Sequence, residues 1–486
     1  MRLADLARAA GLEPASATVE ITGLTADSRE AGPGMLFAAL PGSKVEGARF
    51  VPAAIAAGAA AVLAGAEAPI EAPQNYPVLR ASEPRRALAR IAAAFFGTQP
   101  DVVVAVTGTN GKTSVASFTE QIWRCLGRRS GSIGTLGVSG LEGTGDVALT
   151  SPDPVTLHRA LAAFARQGAQ HVAIEASSHG LAQMRLDGVR LAGGAFTNLS
   201  RDHLDYHASV TDYLDAKLRL FRELLPEGAL AVVNRCGAAG DAALAAARGA
   251  GLRVMNVGRG GEDVALERLE PDAGHLDVEV AHSGTRRALR IPLAGAFQAE
   301  NAVVAAALAT AATGVALDDA LAAMEQLSGA RGRLELIGAT ASGARVFVDY
   351  AHTPDALSVA LAALRPHAAG RIIAVFGAGG DRDAGKRALM GRAACEGADE
   401  VIVTDDNPRS EDPAAIRRAI LEGAPGATEI GDRREAIAAA VARLGAGDVL
   451  LVAGKGHESG QIVGDRVIPF SDDQEVRRAL GEGRAA

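Results

Sequence analysis

Short apolar runs alternate along the chain with longer stretches of helical pattern. Residues 101–106, 171–175 and 229–233 form such runs, and Val, Ile and Ala supply most of their side chains. A short run of this kind is typical of a strand that is buried on both faces of a parallel sheet. The alternation between about residues 99 and 330 therefore predicts βαβ units around a parallel sheet.

The pattern before this region also alternates, but its elements are shorter. Residues 19–22 are predicted to form a strand, residues 35–40 form an apolar run after a Gly-Pro-Gly turn, and an Ala-rich helix follows from about Pro52. Residues 97–100, Gly-Thr-Gln-Pro, have the composition of a linker. We therefore expect a separate N-terminal α/β domain.

A third region begins after residues 328–333, Ser-Gly-Ala-Arg-Gly-Arg. The apolar runs at residues 372–376, 401–404 and 449–453 are each followed by a polar loop. In an open α/β sheet, the loops after the strands gather along one edge and form the ligand crevice. We expect a C-terminal domain whose binding site is built from these loops.

The predicted fold class is α/β with three domains. A chain of 486 residues is too long to fold around one hydrophobic core, since a domain holds roughly 150 residues. We expect a smaller N-terminal α/β domain at residues 1–98, a central parallel sheet with a P-loop ATPase site at residues 99–330, and a Rossmann-like domain at residues 331–486.

Composition excludes several classes of protein. The net charge of −8 and the lack of a basic stretch argue against a nucleic-acid partner. No apolar stretch reaches the ~18 residues of a membrane span, and the first residues lack a signal-peptide core. Three cysteines without a CxxC pair argue against a disulfide framework. We expect a cytoplasmic monomer that acts on small molecules.

Lysine is scarce, because the chain has five lysines and 44 arginines. Such a bias replaces lysine with arginine wherever either cation suffices. The remaining lysines are therefore enriched for positions that need a compact ammonium or a modifiable amine. Chance retention at the surface stays open for any single lysine. Four of the five lie in Gly-rich or acidic loops, which weakens that alternative for the group. The five are Lys44, Lys112, Lys217, Lys386 and Lys455.

Residues 107–113, Thr-Gly-Thr-Asn-Gly-Lys-Thr, follow a predicted strand and precede a helical pattern. In that context backbone N–H groups can surround phosphates, Lys112 can reach the β- and γ-phosphates, and Thr113 can bind Mg²⁺. A strict phosphate-loop motif needs Gly where this chain has Val106. A plain tight turn is the alternative, but it does not account for the Gly-Lys-Thr sequence. We predict that ATP is bound by Gly108, Thr109, Asn110, Gly111, Lys112, Thr113 and Ser114.

Acidic and imidazole side chains follow the later strands of the central region. Glu175 ends a predicted strand, where its carboxylate can share Mg²⁺ with the phosphates, and residues 197–207 hold several further ligand types. The absence of Cys and of helical His spacing disfavours zinc, so a hard cation with oxygen ligands is the better interpretation. Asp202 and Asp205 have the alternative role of capping the next helix. On that helix, spacing alone predicts that Lys217 faces solvent.

The short phosphate loop, residues 175–179 (Glu-Ala-Ser-Ser-His), residues 197–207 and Lys217 together resemble the central domain of the Mur ligase family. Folylpolyglutamate synthetases share the short phosphate loop. Both families activate a carboxylate as an acyl phosphate, which an amine then attacks. The resemblance also implies that CO₂ carbamylates Lys217, because a carbamate is an anionic oxygen ligand for Mg²⁺ whereas an ammonium repels it.

Further site residues are implied by the same resemblance. Thr113 and Glu175 hold one Mg²⁺ on ATP, and Glu175, His203 and carbamylated Lys217 hold a second. Asn301 and Arg333 complete the ATP site. The implied catalytic residues are Lys112, Lys217, His203, Glu175, Asp349 and His352. For Asp349 and His352, orientation of ADP and assistance in proton removal are both open.

The resemblance extends to the loops that hold a UDP-muramoyl dipeptide in the family branch that adds the third amino acid. The matching residues are Ala26, Ser28, Ser43, Lys44, Val45, Thr150, Ser151, Ser177, Gln183 and Arg185. The loop at residues 43–45 matches least well, because some relatives carry other residues there.

The sequence Asp-Asn-Pro-Arg at residues 406–409 resembles the signature of the branch that adds meso-diaminopimelate. The far end of that substrate carries both a carboxylate and an ammonium. Arg382 and Arg409 can clamp the carboxylate, while acidic and amide oxygens suit the ammonium. A Pro turn after a strand accounts for Asn-Pro but not for the flanking Asp and Arg. The implied diaminopimelate-binding residues are Arg382, Asp406, Asn407, Pro408, Arg409, Gly454 and Glu458.

Two other functions stay open at this point. Folylpolyglutamate synthesis is the nearest alternative among ligases, although the N-terminal domain and residues 406–409 argue against it. A non-catalytic nucleotide-binding regulator is the alternative from another class, and it would not require Lys217.

Overall fold

The computed structural model describes residues 1–13, 18–42, 46–140, 149–200, 206–235, 237–272, 274–312 and 314–481. The chain divides into two compact units. The first unit contains Met1–Val257 and Ala307–Ala320, and the second contains Gly258–Ala306 and Leu321–Ala486.

The N-terminal part of the first unit is a small parallel sheet with helices. Its elements are α1 (Leu3–Ala9), β1 (Gly23–Thr25), β2 (Met35–Ala39), α2 (Val51–Ala56), β3 (Ala61–Gly65), β4 (Val78–Ala81) and α3 (Pro84–Phe96), with short 3₁₀ helices at Ser28–Glu30 and Gly47–Phe50. The strands pair in the order β1-β2-β3-β4, and each pair is parallel. The predicted strand at residues 19–22 is wrong. Glu20 makes only an isolated bridge to Arg2, and the strand begins at Gly23.

The central part of the first unit is a larger sheet that alternates with helices. Its elements are β5 (Val102–Thr107), α4 (Lys112–Cys125), β6 (Ser130–Gly134), β7 (Gly137–Ser139), α5 (Pro154–Arg166), β8 (His171–Glu175), α6 (Ser178–Ala182), β9 (Leu191–Phe196), α7 (Val210–Arg219), a π-helix (Leu220–Leu224), β10 (Leu230–Asn234), α8 (Gly237–Gly249) and β11 (Arg253–Gly258). The strands pair in the order β11-β10-β9-β5-β8-β6-β7, and only the β6–β7 pair is antiparallel among them. The βαβ prediction is confirmed.

The second unit begins with an antiparallel meander of β12 (Val264–Asp272), β13 (His275–His282) and β14 (Thr285–Ile291). The helices α9 (Ala296–Ala309) and α10 (Leu317–Ala323) follow, and the stretch Ala307–Ala320 within them belongs to the first unit. The second unit continues with a 3₁₀ turn (Met324–Gln326), β15 (Glu335–Ala339), β16 (Arg345–Asp349), α11 (Pro354–Leu364), a 3₁₀ turn (Arg365–His367), β17 (Ile372–Phe376), α12 (Lys386–Gly397), β18 (Glu400–Val403), α13 (Pro413–Leu421), β19 (Thr428–Glu429), α14 (Arg433–Ala442), β20 (Val449–Ala453), β21 (Gly460–Val463), β22 (Arg466–Pro469) and α15 (Asp472–Ala479). The main sheet has the order β15-β16-β20-β17-β18-β19.

Strand register places the polar loops of each unit at one sheet edge. In the first unit, β5 pairs in parallel with β8 and β9, so that Val106 lies opposite Glu175 and Thr107 lies opposite Phe196. In the second unit, Phe376 lies opposite both Val403 and Ala453. The strands are apolar because their side chains are buried in the cores of the two units, where each fully buried aliphatic or Phe side chain contributes roughly 1.5–3 kcal/mol. Among the described residues, no helix is both long and apolar enough to cross a membrane.

One buried histidine should make the first unit sensitive to acid. His158 lies on α5 with 1% of its surface exposed, and neither ring nitrogen has a hydrogen-bond partner among the described residues. Burial lowers its pKa from 6.5 to about 4. The unfolded chain binds a proton here below about pH 6.5, whereas the folded chain does so only near pH 4. The free energy of unfolding should therefore fall as the pH is lowered through this window.

We expect His158→Phe to reduce this loss of stability, by about 2 kcal/mol at pH 5 relative to pH 7. Urea unfolding followed by the fluorescence of Trp123, the single tryptophan of the chain, measures the effect in the same unit. Above pH 7 both proteins should show the same pH slope, which controls for altered packing. Equal slopes between pH 5 and 6.5 would contradict the assignment.

Candidate active site

The phosphate loop leaves β5 at Thr107 and enters α4 at Lys112. Gly108 has φ of +146°, and a Cβ atom there would lie 1.9 Å from Oγ1 of Thr197. Gly111, the residue before the helix, is left-handed with φ of +85°. Both positions therefore require glycine. The first backbone N–H groups of α4 have no partner within the helix ladder, and such groups at a helix N-terminus favour phosphate.

A neighbouring loop, residues 197–200, supports the phosphate loop from β9. The backbone N–H of Thr109 donates to the carbonyl of Asn198 at 2.8 Å, and that of Asn110 donates to its Oδ1 at 3.0 Å. Oγ1 of Thr197 donates to the carbonyl of Asn110 at 2.6 Å. These bonds hold the loop open as a rigid turn, so its shape does not depend on its own residues alone.

Lys112 lies within this loop. Its Nζ donates to the carbonyls of Gly108 and Thr109, at 2.9 and 2.7 Å. An ammonium held at the mouth of the loop is placed for contact with phosphate oxygens. Ser114 is buried in the first turn of α4.

Glu175 connects several predicted site residues. It is 2% exposed, and its Oε2 accepts a hydrogen bond from Oγ1 of Thr113 at 2.9 Å. Its Oε1 accepts from the backbone N–H of Thr135 at 2.7 Å. A Cβ atom at Gly134 would lie 2.1 Å from the same oxygen, so a residue without a side chain is needed beside the carboxylate.

The oxygens at this position fit a magnesium ion. Mg²⁺ prefers carboxylate and hydroxyl oxygens, together with phosphate and water. Thr113 and Glu175 provide one oxygen of each kind at adjacent positions. His203, the predicted imidazole ligand, lies outside the described residues.

Lys217 does not face solvent, so the interpretation from helical spacing is wrong. Its surface is 0% exposed, and its Nζ donates to the carbonyl of Gly108 at 2.7 Å. The same Nζ lies 4.1 Å from the ring centroid of Tyr213, one helical turn earlier. The hydroxyl of Tyr213 donates to Oγ1 of Thr109 at 3.1 Å. Both side chains of α7 therefore reach the phosphate loop.

Helix α7 is held in place near Lys217 by a buried ion-pair network. Arg219 donates to Asp187 at 2.5 Å and to the carbonyl of Leu181 at 2.8 Å. Arg86 of α3 donates to the same carboxylate at 2.8 Å. The N-cap of α7 is Ser209, which excludes Asp202 and Asp205 as its cap. The helix then continues into the π-helix, a feature that is common at functional sites.

Residues predicted to contact the dipeptide surround the other side of Glu175. Oγ of Ser151 donates to the carbonyl of Glu175 at 2.7 Å and lies 3.0 Å from Oγ of Ser177, whose hydroxyl can donate to it. Arg185 donates to the carbonyl of Ser151 at 2.6 Å and to Oε1 of Gln183 at 2.7 Å. Oγ1 of Thr150 lies 3.0 Å from Oγ1 of Thr135. The structure thus brings Thr150, Ser151, Ser177, Gln183 and Arg185 together.

The predicted UDP contacts are described only in part. Ala26 and Ser28 lie just after β1, and Ser28 begins a 3₁₀ turn whose cap is Asp27. Ser43, Lys44 and Val45 lie outside the described residues.

In the second unit, Asn301 and Arg333 share a neighbour. Nδ2 of Asn301 donates to Oε1 of Gln298, whose Nε2 donates to the carbonyl of Arg333, at 3.0 and 3.1 Å. The guanidinium of Arg333 lies over the ring of Tyr350, 4.9 Å from its centroid. The ring centroid of His457 lies 5.1 Å from that of Tyr350. Burial lowers the pKa of His457 to about 4. It is therefore neutral at pH 7.

Asp349 ends β16 and binds backbone groups with both oxygens. Oδ2 accepts from the N–H of Leu334 at 2.7 Å, and Oδ1 accepts from that of Ala351 at 2.8 Å. Burial raises the pKa of Asp349, although Arg333 and these two N–H groups oppose the shift. His352 is exposed, and its backbone carbonyl accepts a hydrogen bond from Nζ of Lys386 at 2.7 Å. Both oxygens of Asp349 are therefore engaged by backbone N–H groups.

The predicted diaminopimelate residues lie together after β17, β18 and β20. A Cβ atom at Gly454 would lie 2.7 Å from Oδ2 of Asp406, and Nδ2 of Asn407 donates to Oε2 of Glu458 at 2.8 Å. On the other side, a Cβ atom at Gly379 would lie 2.8 Å from Nη1 of Arg409 and 3.8 Å from Cγ of Arg382. Pro408, which lies between Asn407 and Arg409 along the chain, is buried.

Several residues at these sites were not predicted. Thr135 follows a weak strand and carries no recognisable signal. Tyr213 lies four residues before Lys217, so helical spacing would have placed the two side chains next to each other on one face of the helix. Lys455 donates to Asn407 and Glu458, and its rarity as a lysine in a Gly-rich loop was the available signal.

The chain matches models of three successive domains of one family. Residues 20–96 match "Mur ligase family, catalytic domain", residues 106–309 match "Mur ligase middle domain", and residues 332–456 match "Mur ligase, glutamate ligase domain". The UDP-N-acetylmuramoyl-L-alanyl-D-glutamate–2,6-diaminopimelate ligase of Bradyrhizobium diazoefficiens is 55% identical over 485 residues, which is 99% of both chains. The chain belongs to the Mur ligase family. The ligase of the same name from Rhizobium meliloti (strain 1021) is 53% identical, and the match covers 99% of this Mur ligase and 100% of that relative.

Solved structures agree with the Mur ligase fold. A UDP-N-acetylmuramoyl-L-alanyl-D-glutamate–2,6-diaminopimelate ligase is 34% identical with a TM-score of 0.69, and the match covers 96% of each chain. MurF from Acinetobacter baumannii is 21% identical with a TM-score of 0.64, over 99% of this chain and 98% of that one. Folylpolyglutamate synthase from Mycobacterium tuberculosis, at 23% identity and a TM-score of 0.60 over 77% and 92% of the chains, shares the fold.

Membership of the Mur ligase family confirms the predicted enzyme class, an ATP-dependent ligase that forms amide bonds. Each family model lies within one of the predicted domains, 1–98, 99–330 and 331–486. The exact domain boundaries stay a prediction.

We expect Gly108→Ala to weaken ATP binding at least tenfold, because the new methyl group collides with Thr197 and displaces the phosphate loop. Isothermal titration with MgATP measures the change. The matched control is Gly127→Ala. Gly127 also has positive φ, +73°, but nothing lies within 4 Å of its Cβ position. The control should bind ATP within twofold of wild type, and wild-type binding by Gly108→Ala would contradict the role of the loop.

Proposed function

We propose that this Mur ligase joins meso-2,6-diaminopimelate to UDP-N-acetylmuramoyl-L-alanyl-D-glutamate, at the expense of ATP, in peptidoglycan precursor synthesis. The observation that carries the proposal is similarity at 52–55% identity, over nearly the full length, to proteins that bear the name of that ligase. The arrangement of the site residues supports it.

The reaction has two steps. The γ-carboxylate of the D-glutamyl residue attacks the γ-phosphorus of ATP, which forms an acyl phosphate and releases ADP. The amine of diaminopimelate then attacks the acyl carbon, a proton leaves the nitrogen, and phosphate departs. Both steps depend on alignment and on neutralisation of charge rather than on covalent participation of the protein.

The phosphate loop and Lys112 hold the ATP phosphates. The N-terminus of α4 directs N–H groups towards them, and the ammonium of Lys112 neutralises charge on the β- and γ-phosphates. In the second unit, Asn301 and Arg333 hold the nucleoside part. Asp349 orients the loop that carries Arg333, because its carboxylate binds the N–H of Leu334.

The acceptor lies beside Glu175. Ser151, Ser177, Gln183 and Arg185 form one hydrogen-bonded group on this side, and Thr150 lies beside Thr135, which also binds Glu175. The hydroxyl and guanidinium groups suit the carbonyl and carboxylate oxygens of a dipeptide. The N-terminal residues Ala26, Ser28, Ser43, Lys44 and Val45 hold the UDP moiety.

Two Mg²⁺ ions are proposed to bind here. Thr113 and Glu175 hold the first with ATP, and Glu175, His203 and carbamylated Lys217 hold the second. When bound, these ions neutralise phosphate charge and draw the acceptor carboxylate towards ATP. Lys217 meets one requirement for carbamylation, since its amine is removed from bulk water and adjoins the phosphate loop.

The loops of the second unit select the incoming amino acid. Arg382 and Arg409 bind its distal carboxylate, and Asp406, Asn407, Gly454 and Glu458 bind its distal ammonium. We place the reaction in the cytoplasm, where these nucleotide substrates occur, and propose that the enzyme acts as a monomer.

A test of Lys217 separates a ligase from a nucleotide-binding regulator. We expect Lys217→Ala to lower kcat for ligation at least a hundredfold, because an anionic ligand for the metal is lost. Added acetate or propionate should restore part of the activity by supplying the missing carboxylate, whereas Lys217→Arg, which retains charge but cannot be carbamylated, should stay inactive. ADP release with the UDP-muramoyl dipeptide and diaminopimelate measures this. Wild-type rates in Lys217→Ala would overturn the assignment.

A second test concerns the choice of amino acid. We expect wild type to prefer meso-diaminopimelate over L-lysine at least a hundredfold in kcat/KM, since lysine has no distal carboxylate. Arg409→Lys should lower kcat/KM for diaminopimelate roughly 10- to 100-fold, equivalent to about 1.4–2.8 kcal/mol, because the bidentate contact is lost. It should leave lysine unaffected. The exposed Arg418→Lys is the matched control and should behave as wild type. Preference of wild type for lysine would refute the proposed substrate.

A further inference from the structure

Lys455 is a buried cation in the loop after β20. Its side chain is 0% exposed, although lysine is one of the residues that proteins bury least often without a partner. Its Nζ donates to Oδ1 of Asn407 at 3.1 Å and to Oε2 of Glu458 at 2.9 Å. The cost of removing an ammonium from water is offset only by such close partners.

The three side chains form a closed ring of hydrogen bonds. Nδ2 of Asn407 donates to the same Oε2 of Glu458 at 2.8 Å. Oδ1 of Asn407 also accepts from the backbone N–H of Ile462 at 2.9 Å. Because Oδ1 receives two donors, the amide cannot turn round, and its Nδ2 must point towards Glu458.

This ring fixes the carboxylate of Glu458 in one orientation. Oε2 accepts from two donors, whereas Oε1 has no hydrogen bond to any residue within the described part of the chain. The side chain is 32% exposed, so a ligand can reach it. A carboxylate with one oxygen tied down and the other available is prepared to accept a hydrogen bond from a cation.

We propose that Lys455 is a positioning residue that, through Asn407 and Glu458, prepares the site for the distal ammonium of the amino-acid substrate. The inference rests on the proposed function, and it assigns to Lys455 a part of the substrate specificity. Lys455 does not touch the substrate, and it acts by holding Glu458.

The local charges support this assignment. Lys455 neutralises one of the two nearby carboxylates, Glu458 and Asp406. These three side chains together carry a formal charge of −1, and the buried Arg433 also acts electrostatically on both carboxylates. Asp406 lies next to Gly454 on the same edge.

The experiment compares two substrates in Lys455→Met, which keeps the length of the side chain and removes its charge. One is meso-diaminopimelate and the other is 2-aminopimelate, which has the distal carboxylate but no distal ammonium. We expect KM for diaminopimelate to rise at least tenfold. KM for 2-aminopimelate, or its inhibition constant if turnover is slow, should change less than twofold, as should KM for ATP. An equal rise for both amino acids would overturn the proposal, because it would indicate a general structural role.

Glu458→Gln provides the matched variant. If Lys455 acts through Glu458, the double variant should show no further rise in KM for diaminopimelate beyond Glu458→Gln alone. Additive effects would contradict this pathway. If Lys455→Met does not fold, as judged by circular dichroism, Glu458→Gln decides: retained discrimination between the two substrates by this variant would refute the proposal.

Failure of the underlying function would look different. Wild-type enzyme would then release no ADP with diaminopimelate at all, whereas failure of the present inference leaves wild-type ligation intact and alters only the response of the variants.

Discussion

The hydrogen bond between Glu175 and Thr113 joins the end of one buried strand to the first turn of the helix after another. It forms because β5 and β8 pair in parallel with Val106 opposite Glu175, so the carboxylate leaves the sheet beside the phosphate loop. The backbone carbonyl of Glu175 also accepts from Ser151. The phosphate loop, the oxygens of Thr113 and Glu175, and the loop that carries Ser151 therefore share one strand end. Its position is maintained by the burial of β8, whose Val172 and Ile174 pack in the apolar core of the unit.

The second requirement at this site is a lysine amine that is removed from water and adjoins the phosphate loop. Lys217 meets it because α7 is anchored by Arg219, whose guanidinium is bound by Asp187 and by the carbonyl of Leu181. Arg86 of the N-terminal sheet region binds the same carboxylate. A helix that is fixed through a buried ion pair at Arg219 can hold a lysine two residues earlier against the phosphate loop. The ion pairs therefore contribute to orientation more than to net stability.

The loops of the second unit that are proposed to bind the amino acid depend on the same kind of support. Arg433 is fully buried, pairs with Asp472 and also donates to the carbonyl of Ala453, at the end of β20. Lys455 and Asn407 then fix Glu458 beside that strand end. Buried cations thus fix the conformation of the loops, while the groups proposed to bind the substrate stay accessible. A loop held in this way can discriminate between charged substrates without first becoming ordered.

The sequence by itself determined the βαβ architecture, the phosphate loop and the family. Apolar runs, Gly-Lys-Thr after a strand and the residues around Glu175 are local patterns with a direct physical meaning. Local patterns were insufficient where a contact joins distant segments. Spacing on α7 placed Lys217 in solvent, and residues 19–22 were read as a strand that begins only at Gly23. Only the tertiary structure placed Lys217 against Gly108 and Lys455 between Asn407 and Glu458, because burial and hydrogen-bond partners are decided by how strands pair and helices pack.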